Sequence, residues 1–267
     1  MKKILSVLLV VMMVLGLTAC GSKAGTGTGN DPDPVNTAEK EKTEKTEYYK
    51  GWANSADFGT EGEFVRMDLS LDGSKFVMDV GKSHMTVVVG GIEMALYELE
   101  DKTYFHMVNP EAQADEWMVS PAGEESLVAS AGSESSIDMK GEDFKSVEYV
   151  ETVTEYGVKY DVVNVTANAI FEEGEEPTEE TYKMYVNADT HKLAKVLVDE
   201  EVEPEDGSAG DTAKIKVTGT VSFYNGETAF EAPAEATETT YDELMMAFAF
   251  SFMGLIMSGP AASVFGN

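Results

Sequence analysis

From Tyr48 onward, apolar and polar residues alternate with a period of two. Val65, Met67, Leu69 and Leu71 alternate with Arg66, Asp68 and Ser70; Asp72-Gly73 interrupts, and Phe76, Met78 and Val80 resume the pattern. Such alternation predicts half-buried strands, and Asp-Gly between two runs predicts a hairpin closed by a type I′ turn. Further strands are predicted over 84–89, 93–99, 103–108, 146–153, 157–166, 181–187, 192–199 and 213–224. Turns fall at Glu100-Asp101-Lys102, Glu155-Tyr156-Gly157 and Asn187-Ala188-Asp189-Thr190. The final run is the most regular, with Ile215, Val217, Val221 and Phe223 on one side and Lys214, Lys216, Thr218 and Thr220 on the other. About ten one-sided, hairpin-linked strands predict a mainly β fold, a curved antiparallel sheet with one wet face. The stretch 109–145 is rich in Ser, Gly, Ala and Glu and is expected to cross one rim as a loop, with a short helix near 123–130.

Two segments break the alternation. At the C-terminal end, only Ser251 and Gly254 among residues 244–257 are not apolar. Thr239-Thr240 and Asp242-Glu243 supply helix-start chemistry, and Gly259-Pro260 supplies the stop. A helix over 241–257 is therefore expected; being apolar all round, it should be buried on all sides. It is shorter than the roughly twenty residues that span a bilayer. At the other end, residues 21–47 hold no aromatic residue and no Leu, Ile or Met. Such a stretch buries too little apolar area to offset its ordering entropy and is expected to be a disordered tether.

The first twenty residues carry an address. Met1-Lys2-Lys3 precedes an apolar run from Ile4 to Leu17, followed by Leu17-Thr18-Ala19-Cys20. The run has the flanks of a secretory signal and the length of its apolar core. Its end resembles the lipobox of bacterial lipoproteins, in which the cysteine thiol takes a diacylglycerol and the preceding peptide bond is cut. The resemblance implies lipid attachment at Cys20 and an extracytoplasmic protein anchored to the bacterial cell membrane, since two acyl chains suffice for stable anchoring. Residues 1–19 thus read as signal peptide, 20–47 as lipidated cysteine and tether, 48–240 as the β domain, and 241–267 as apolar helix and tail.

Charge narrows the partners. The 267-residue chain has 19 Lys and Arg against 49 Asp and Glu, a formal net charge of −30. So acidic a surface argues against nucleic acid, whose phosphates require Lys and Arg. One cysteine excludes an internal disulfide and any cysteine-rich zinc site.

Tyr185-Val186-Asn187-Ala188-Asp189-Thr190-His191-Lys192-Leu193-Ala194-Lys195-Val196 resembles the strand-turn-strand of the LolA/LppX-like lipoprotein families. Phe223-Tyr224-Asn225-Gly226-Glu227 with Ala232-Pro233-Ala234 is similar to the closing strand and exit of the same group. The resemblance extends over roughly 48–235. It implies a half-barrel whose concavity receives lipid or acyl chains; the C-terminal helix, by its own apolar surface, is expected to pack on the concave face. Val65, Met67, Leu69, Phe76, Met78, Ile215, Val217, Val221 and Phe223 are then the candidate hydrophobic-ligand face. The amphipathic helices that such proteins carry ahead of their strands are not legible here. A non-catalytic interaction domain of the envelope, its core filled by its own side chains, uses the same sheet and remains the alternative.

Catalytic and metal-binding patterns are weak. Asp68-x-Ser70-x-Asp72-Gly73 with Asp79 has the outline of a calcium loop, but these positions alternate along the predicted hairpin. The acidic clusters 172–180 and 199–211 read as hydrated loops between strands. His84, His106 and His191 are scattered, and no His-Glu-x-x-His, Gly-x-Ser-x-Gly or Walker pattern occurs. No catalytic residue, metal site or cofactor is assigned, and the expected class is not an enzyme.

Overall fold

A computed structural model describes residues 34–53, 59–123, 128, 144–169, 178–202, 215–226 and 230–256. Helix α1 spans Pro34–Ala53, with Pro34 at its start, where a missing N–H costs nothing. Twelve strands follow: β1 (Phe64–Leu71), β2 (Ser74–Val80), β3 (His84–Val89), β4 (Ile92–Glu98), β5 (Lys102–Asn109), β6 (Ala114–Pro121), β7 (Phe144–Glu155), β8 (Val158–Ala169), β9 (Thr178–Asn187), β10 (Leu193–Val202), β11 (Ile215–Tyr224) and β12 (Thr237–Glu238). Helix α2 spans Tyr241–Ile256. The strands form one curved sheet in the order β12-β6-β5-β4-β3-β2-β1-β11-β10-β9-β8-β7. Every pairing is antiparallel except the short β12–β6 contact.

Turn chemistry sets the registers. Asp72 and Gly73 both take positive φ, 48° and 85°, as a type I′ turn requires. Gly90-Gly91 and Tyr156-Gly157 do the same for β3–β4 and β7–β8. The Asn187 side chain accepts hydrogen bonds from the backbone N–H groups of Asp189 and Thr190, an Asx turn that lets His191 sit at φ 57° before β10.

Three differences from the sequence expectation have physical reasons. The tether expected over 20–47 is helical from Pro34. Pairs Lys40–Glu44 and Lys45–Glu41 support α1 along its exposed sides, and Tyr49, Trp52 and Ala53 are buried in its last turns. Secondly, the loop expected over 109–145 contains β6. Its apolar residues Trp117, Met118 and Val119 are consecutive because both sides of this strand are covered. Met118 packs with the core, while Trp117 lies 6.0 Å from the Phe230 ring on the other side. With the two-residue β12, this raises the strand number from about ten to twelve. Of the helix expected near 123–130, only Gly123 and Val128 fall among the described residues; Gly123 is not helical, and Val128 is helical and buried.

The third difference concerns α2, which is buried on one side only. Leu244, Phe248 and Leu255 enter the core, whereas Met246, Phe250 and Met253 are 54%, 75% and 51% exposed. Its start is a capping box: the Glu243 N–H donates to Thr240 Oγ1 at 3.3 Å, and the Thr240 N–H donates to Glu243 Oε2 at 3.2 Å. Bonds from the Thr239 hydroxyl, the Thr240 N–H and the Thr240 hydroxyl hold the Glu243 carboxyl below its ordinary pKa. Among the described residues no helix is long and apolar enough to cross a membrane.

Candidate functional site: the concave apolar face

Register places the candidate ligand face on one side of the sheet. Val65 pairs with Val80 and Phe223, Met67 with Met78 and Val221, and Leu69 with Phe76 and Gly219. Leu71 faces Val217 across the β1–β11 ladder, and Ile215 pairs with Val202 of β10. Directly opposed residues in adjacent strands project to the same face. All nine candidate residues therefore lie together, Met78 partly buried and the other eight fully buried. The face continues through Val87 and Val89 of β3, Met94 and Leu96 of β4, and Phe105 of β5. In the other direction it runs through Val196 and Val198 to Met184 and Val163.

Two helices cover its ends. α2 lies over β4, β5 and β6, with the Phe248 ring edge-on to Phe105 at 5.8 Å. α1 lies over β7, joined to the sheet by charged and polar contacts as much as by apolar ones. Lys42 reaches Glu148 at 2.8 Å, Lys45 reaches Asp161 at 2.9 Å, and Trp52 Nε1 donates to the His191 carbonyl at 2.9 Å.

Among the described residues, the one charged group buried on this face is Asp161, 4% exposed. It accepts hydrogen bonds from Thr152 at 2.5 Å, the Tyr49 hydroxyl at 2.8 Å and Lys45 at 2.9 Å. Burial alone would raise its pKa; the bonds from Thr152, Lys45 and Tyr49, with the Lys45 charge, outweigh burial and hold the carboxyl below its ordinary value. The Tyr49 phenol is pushed well up, first by burial and then by its bond to Asp161. A fully paired carboxylate of this kind fixes a helix in place and offers little to a substrate.

The convex side carries the remaining polar candidates, spread apart. Asp79 faces Arg66 at 3.2 Å, His84 at 3.4 Å and the Tyr224 hydroxyl, tying β1, β2, β3 and β11 together. Burial raises the Asp79 pKa, but the His84 and Tyr224 bonds and the Arg66 charge bring it below its ordinary value. Asp72 accepts from the Lys216 backbone N–H at 2.8 Å, and Asp68 lies 3.8 Å from Arg66. The calcium-loop outline is thus laid along a hairpin, with Asp68 and Asp79 both beside Arg66 and Asp72 on the Lys216 N–H. His106 stacks on Trp117 at 3.9 Å and bonds Asp115 at 2.8 Å, whereas His191 sits exposed in a turn. The structure does not gather the three histidines. Among the described residues, no cluster of three or more potential metal ligands forms. The acidic clusters lie largely outside the described residues, as does Cys20.

Sequence reasoning missed the Asp161 anchor. Its only signal is a lone acidic residue at an inward position of β8, between Tyr160 and Val162, with Lys45 in the expected tether and Tyr49 four residues on, just past its end.

No family model and no curated protein matches the chain. Among solved structures it is similar to the lipoprotein LppX of Mycobacterium tuberculosis, at 13% identity and a TM-score of 0.33, over 72% of this chain and 94% of that one. It is also similar to a LolA superfamily protein from Nitrosomonas europaea, at 9% identity and a TM-score of 0.18, over 70% of this chain and 94% of that one. A third similar structure is an outer membrane lipoprotein-sorting protein domain from Vibrio parahaemolyticus, at 8% identity and a TM-score of 0.15, over 76% of this chain and 96% of that one. The similar structures include an LppX lipoprotein and a LolA superfamily protein, the group that the sequence resembles. At these overlaps, ligand and mechanism rest on the chain's own residues.

Proposed function

We propose that this chain is an extracytoplasmic lipoprotein, anchored through a diacylated Cys20, whose concave face takes an acyl or other hydrophobic chain. The observation that supports ligand binding is the unbroken apolar surface running from Phe105 through Met67 and Val221 to Met184, with a helix over each end. α1 is held partly by ion pairs and α2 by a single stripe of buried side chains. Binding without catalysis needs nothing more. Mass spectrometry of organic extracts of the purified protein tests this reading: a stoichiometric lipid or fatty acid is expected. A folded protein that yields none, and that takes up no fluorescent fatty acid, overturns it.

A second reading has its own support. Val217 and Val221 are 0% exposed, so the centre of the face is covered by the chain itself. A self-filled, non-catalytic interaction domain of the envelope has this property, and the same extraction separates the two.

A further inference from the structure

We propose that the outward ridge of α2, formed by Met246, Phe250 and Met253, docks on a zwitterionic lipid bilayer, seating the β4–β6 end of the sheet against the membrane. The proposal rests on the lipid-anchored reading of Cys20. Positions 246, 250 and 253 are spaced four and three apart, so they form one stripe along the helix. They stand opposite the stripe that enters the core, and all three are at least half exposed. Large apolar side chains aligned on one exposed face mark an interaction surface.

Three observations choose the bilayer as occupant. First, residues 244–267 contain no Asp, Glu, Lys or Arg, in a chain that is 25% charged. A polar or basic partner would find no complement on this ridge, whereas an acyl phase needs none. Secondly, only 13 residues separate Cys20 from Pro34, which at ~3.5 Å per residue keeps the start of α1 within about 45 Å of a lipid anchored at Cys20. The membrane is the apolar phase always within reach. Thirdly, three side chains offer only a few hundred Å², well below the ~800 Å² per partner of a stable protein interface. Two copies of a chain of net charge −30 also repel each other. The same negative charge, with Asp242 and Glu243 at the helix start and no basic residue on α2, makes anionic headgroups unfavourable. A neutral, zwitterionic surface is what remains. Docking there would bring the cover of the concave face into contact with the lipid phase from which a ligand would come.

Lipidation consumes the only thiol, so Phe250→Cys in the processed chain gives a single site for an environment-sensitive fluorophore. A second labelled chain, Lys75→Cys, reports an exposed position on the convex side. Both are measured on phosphatidylcholine vesicles containing brominated acyl chains. The label at 250 should be quenched several-fold more than the label at 75, and phosphatidylglycerol should reduce that quenching. Adding Met246→Glu and Met253→Glu should abolish it with no change in melting temperature. Equal quenching at the two positions overturns the proposal. So does a label at 250 that is shielded before vesicles are added, which would indicate a second copy or the chain's own tail. Should Cys20 incorporate no fatty acid, the anchored reading fails separately. The Cys20→Ser, Phe250→Cys chain at high lipid then decides docking by itself: quenching upholds it and no quenching overturns it.

Discussion

The Tyr49 hydroxyl of α1 donates a 2.8 Å hydrogen bond to Asp161 Oδ2 of β8, across 112 residues of sequence. Lys45, one turn earlier on the same helix, holds the other carboxylate oxygen at 2.9 Å. The pair locks a highly charged helix, which would be marginal alone, onto the far end of the sheet. Removing one partner of a buried polar pair strands the other, so Tyr49→Phe should cost about 1–3 kcal/mol. Asp161→Asn should cost more, because Lys45, Thr152 and Tyr49 all lose a charged acceptor. Urea midpoints measure both.

This anchor also predicts a direction with pH. The Asp161 carboxyl is held below its ordinary value by Thr152, Lys45 and Tyr49 despite burial. A carboxyl with a depressed folded-state pKa contributes stability that is fully present above its unfolded value, about 3.9, and is lost as pH falls through the folded value. The wild type should therefore exceed Asp161→Asn in stability at pH 6, and the gap should narrow steadily below about pH 4. Asp79 is depressed as well, so the double variant with Asp79→Asn should flatten the acid limb further. A gap independent of pH would show that folding does not lower the Asp161 pKa.

Two glycines separate backbone strain from crowding. Gly73 has φ 85° and open space where a Cβ would stand. Gly73→Val should then cost only the left-handed penalty, about 1–2 kcal/mol. At Gly219, φ is 150° and a Cβ would fall 2.1 Å from the Asp68 carbonyl oxygen of β1. Even Gly219→Ala must push β1 and β11 apart, for a loss on the order of 2–4 kcal/mol that combines strain with overpacking. Thermal melts of the two variants should rank in that order.

These two glycines also show what a sequence displays. Gly73 follows Asp72 between two alternating runs, so the β1–β2 hairpin and its inward face can be read directly from local chemistry. The same holds for β11, whose inward residues Ile215, Val217, Val221 and Phe223 are spaced by two or four. Nothing local says that Gly219 lies against Asp68, about 150 residues away. β6 is obscured for a related reason. Phe230 covers Trp117 from the convex side, so the strand needs apolar residues on both faces and loses its alternation. In α1, only the last turns are apolar and the rest is held by pairs such as Lys42–Glu148, which composition alone cannot reveal. The apolar helix α2 is legible as a helix, but its one-sided burial depends on its packing against β4, β5 and β6, which are distant in sequence. The candidate ligand face is legible because all its residues lie on alternating strands; its helical covers are less so.

The lipobox reading makes a direct prediction. Leu17-Thr18-Ala19-Cys20 calls for lipidation at Cys20. Wild type should incorporate labelled fatty acid and partition into the detergent phase, and Cys20→Ala should do neither. A membrane-bound Cys20→Ala chain would require another attachment.

The two sides of α2 predict opposite responses to the same substitution. Phe248 is 7% exposed and meets Phe105 edge-on, whereas Phe250, two residues on, is exposed. Phe248→Ala should remove transfer energy and leave a cavity, costing about 3–5 kcal/mol. Phe250→Ala should stay within about 0.5 kcal/mol, as surface changes do. The contrast tests the helix's rotation, because a turn of 180° about its axis would exchange the two values. Truncation after Thr240 goes further and removes Leu244, Phe248 and Leu255 together. Each gains about 1.5–3 kcal/mol on burial, an upper bound of some 5–9 kcal/mol for the three. The truncated chain should melt much earlier and bind an apolar dye along the uncovered Phe105 and Met107 side of β5. Unchanged stability together with absent dye binding would mean that α2 does not cover this face.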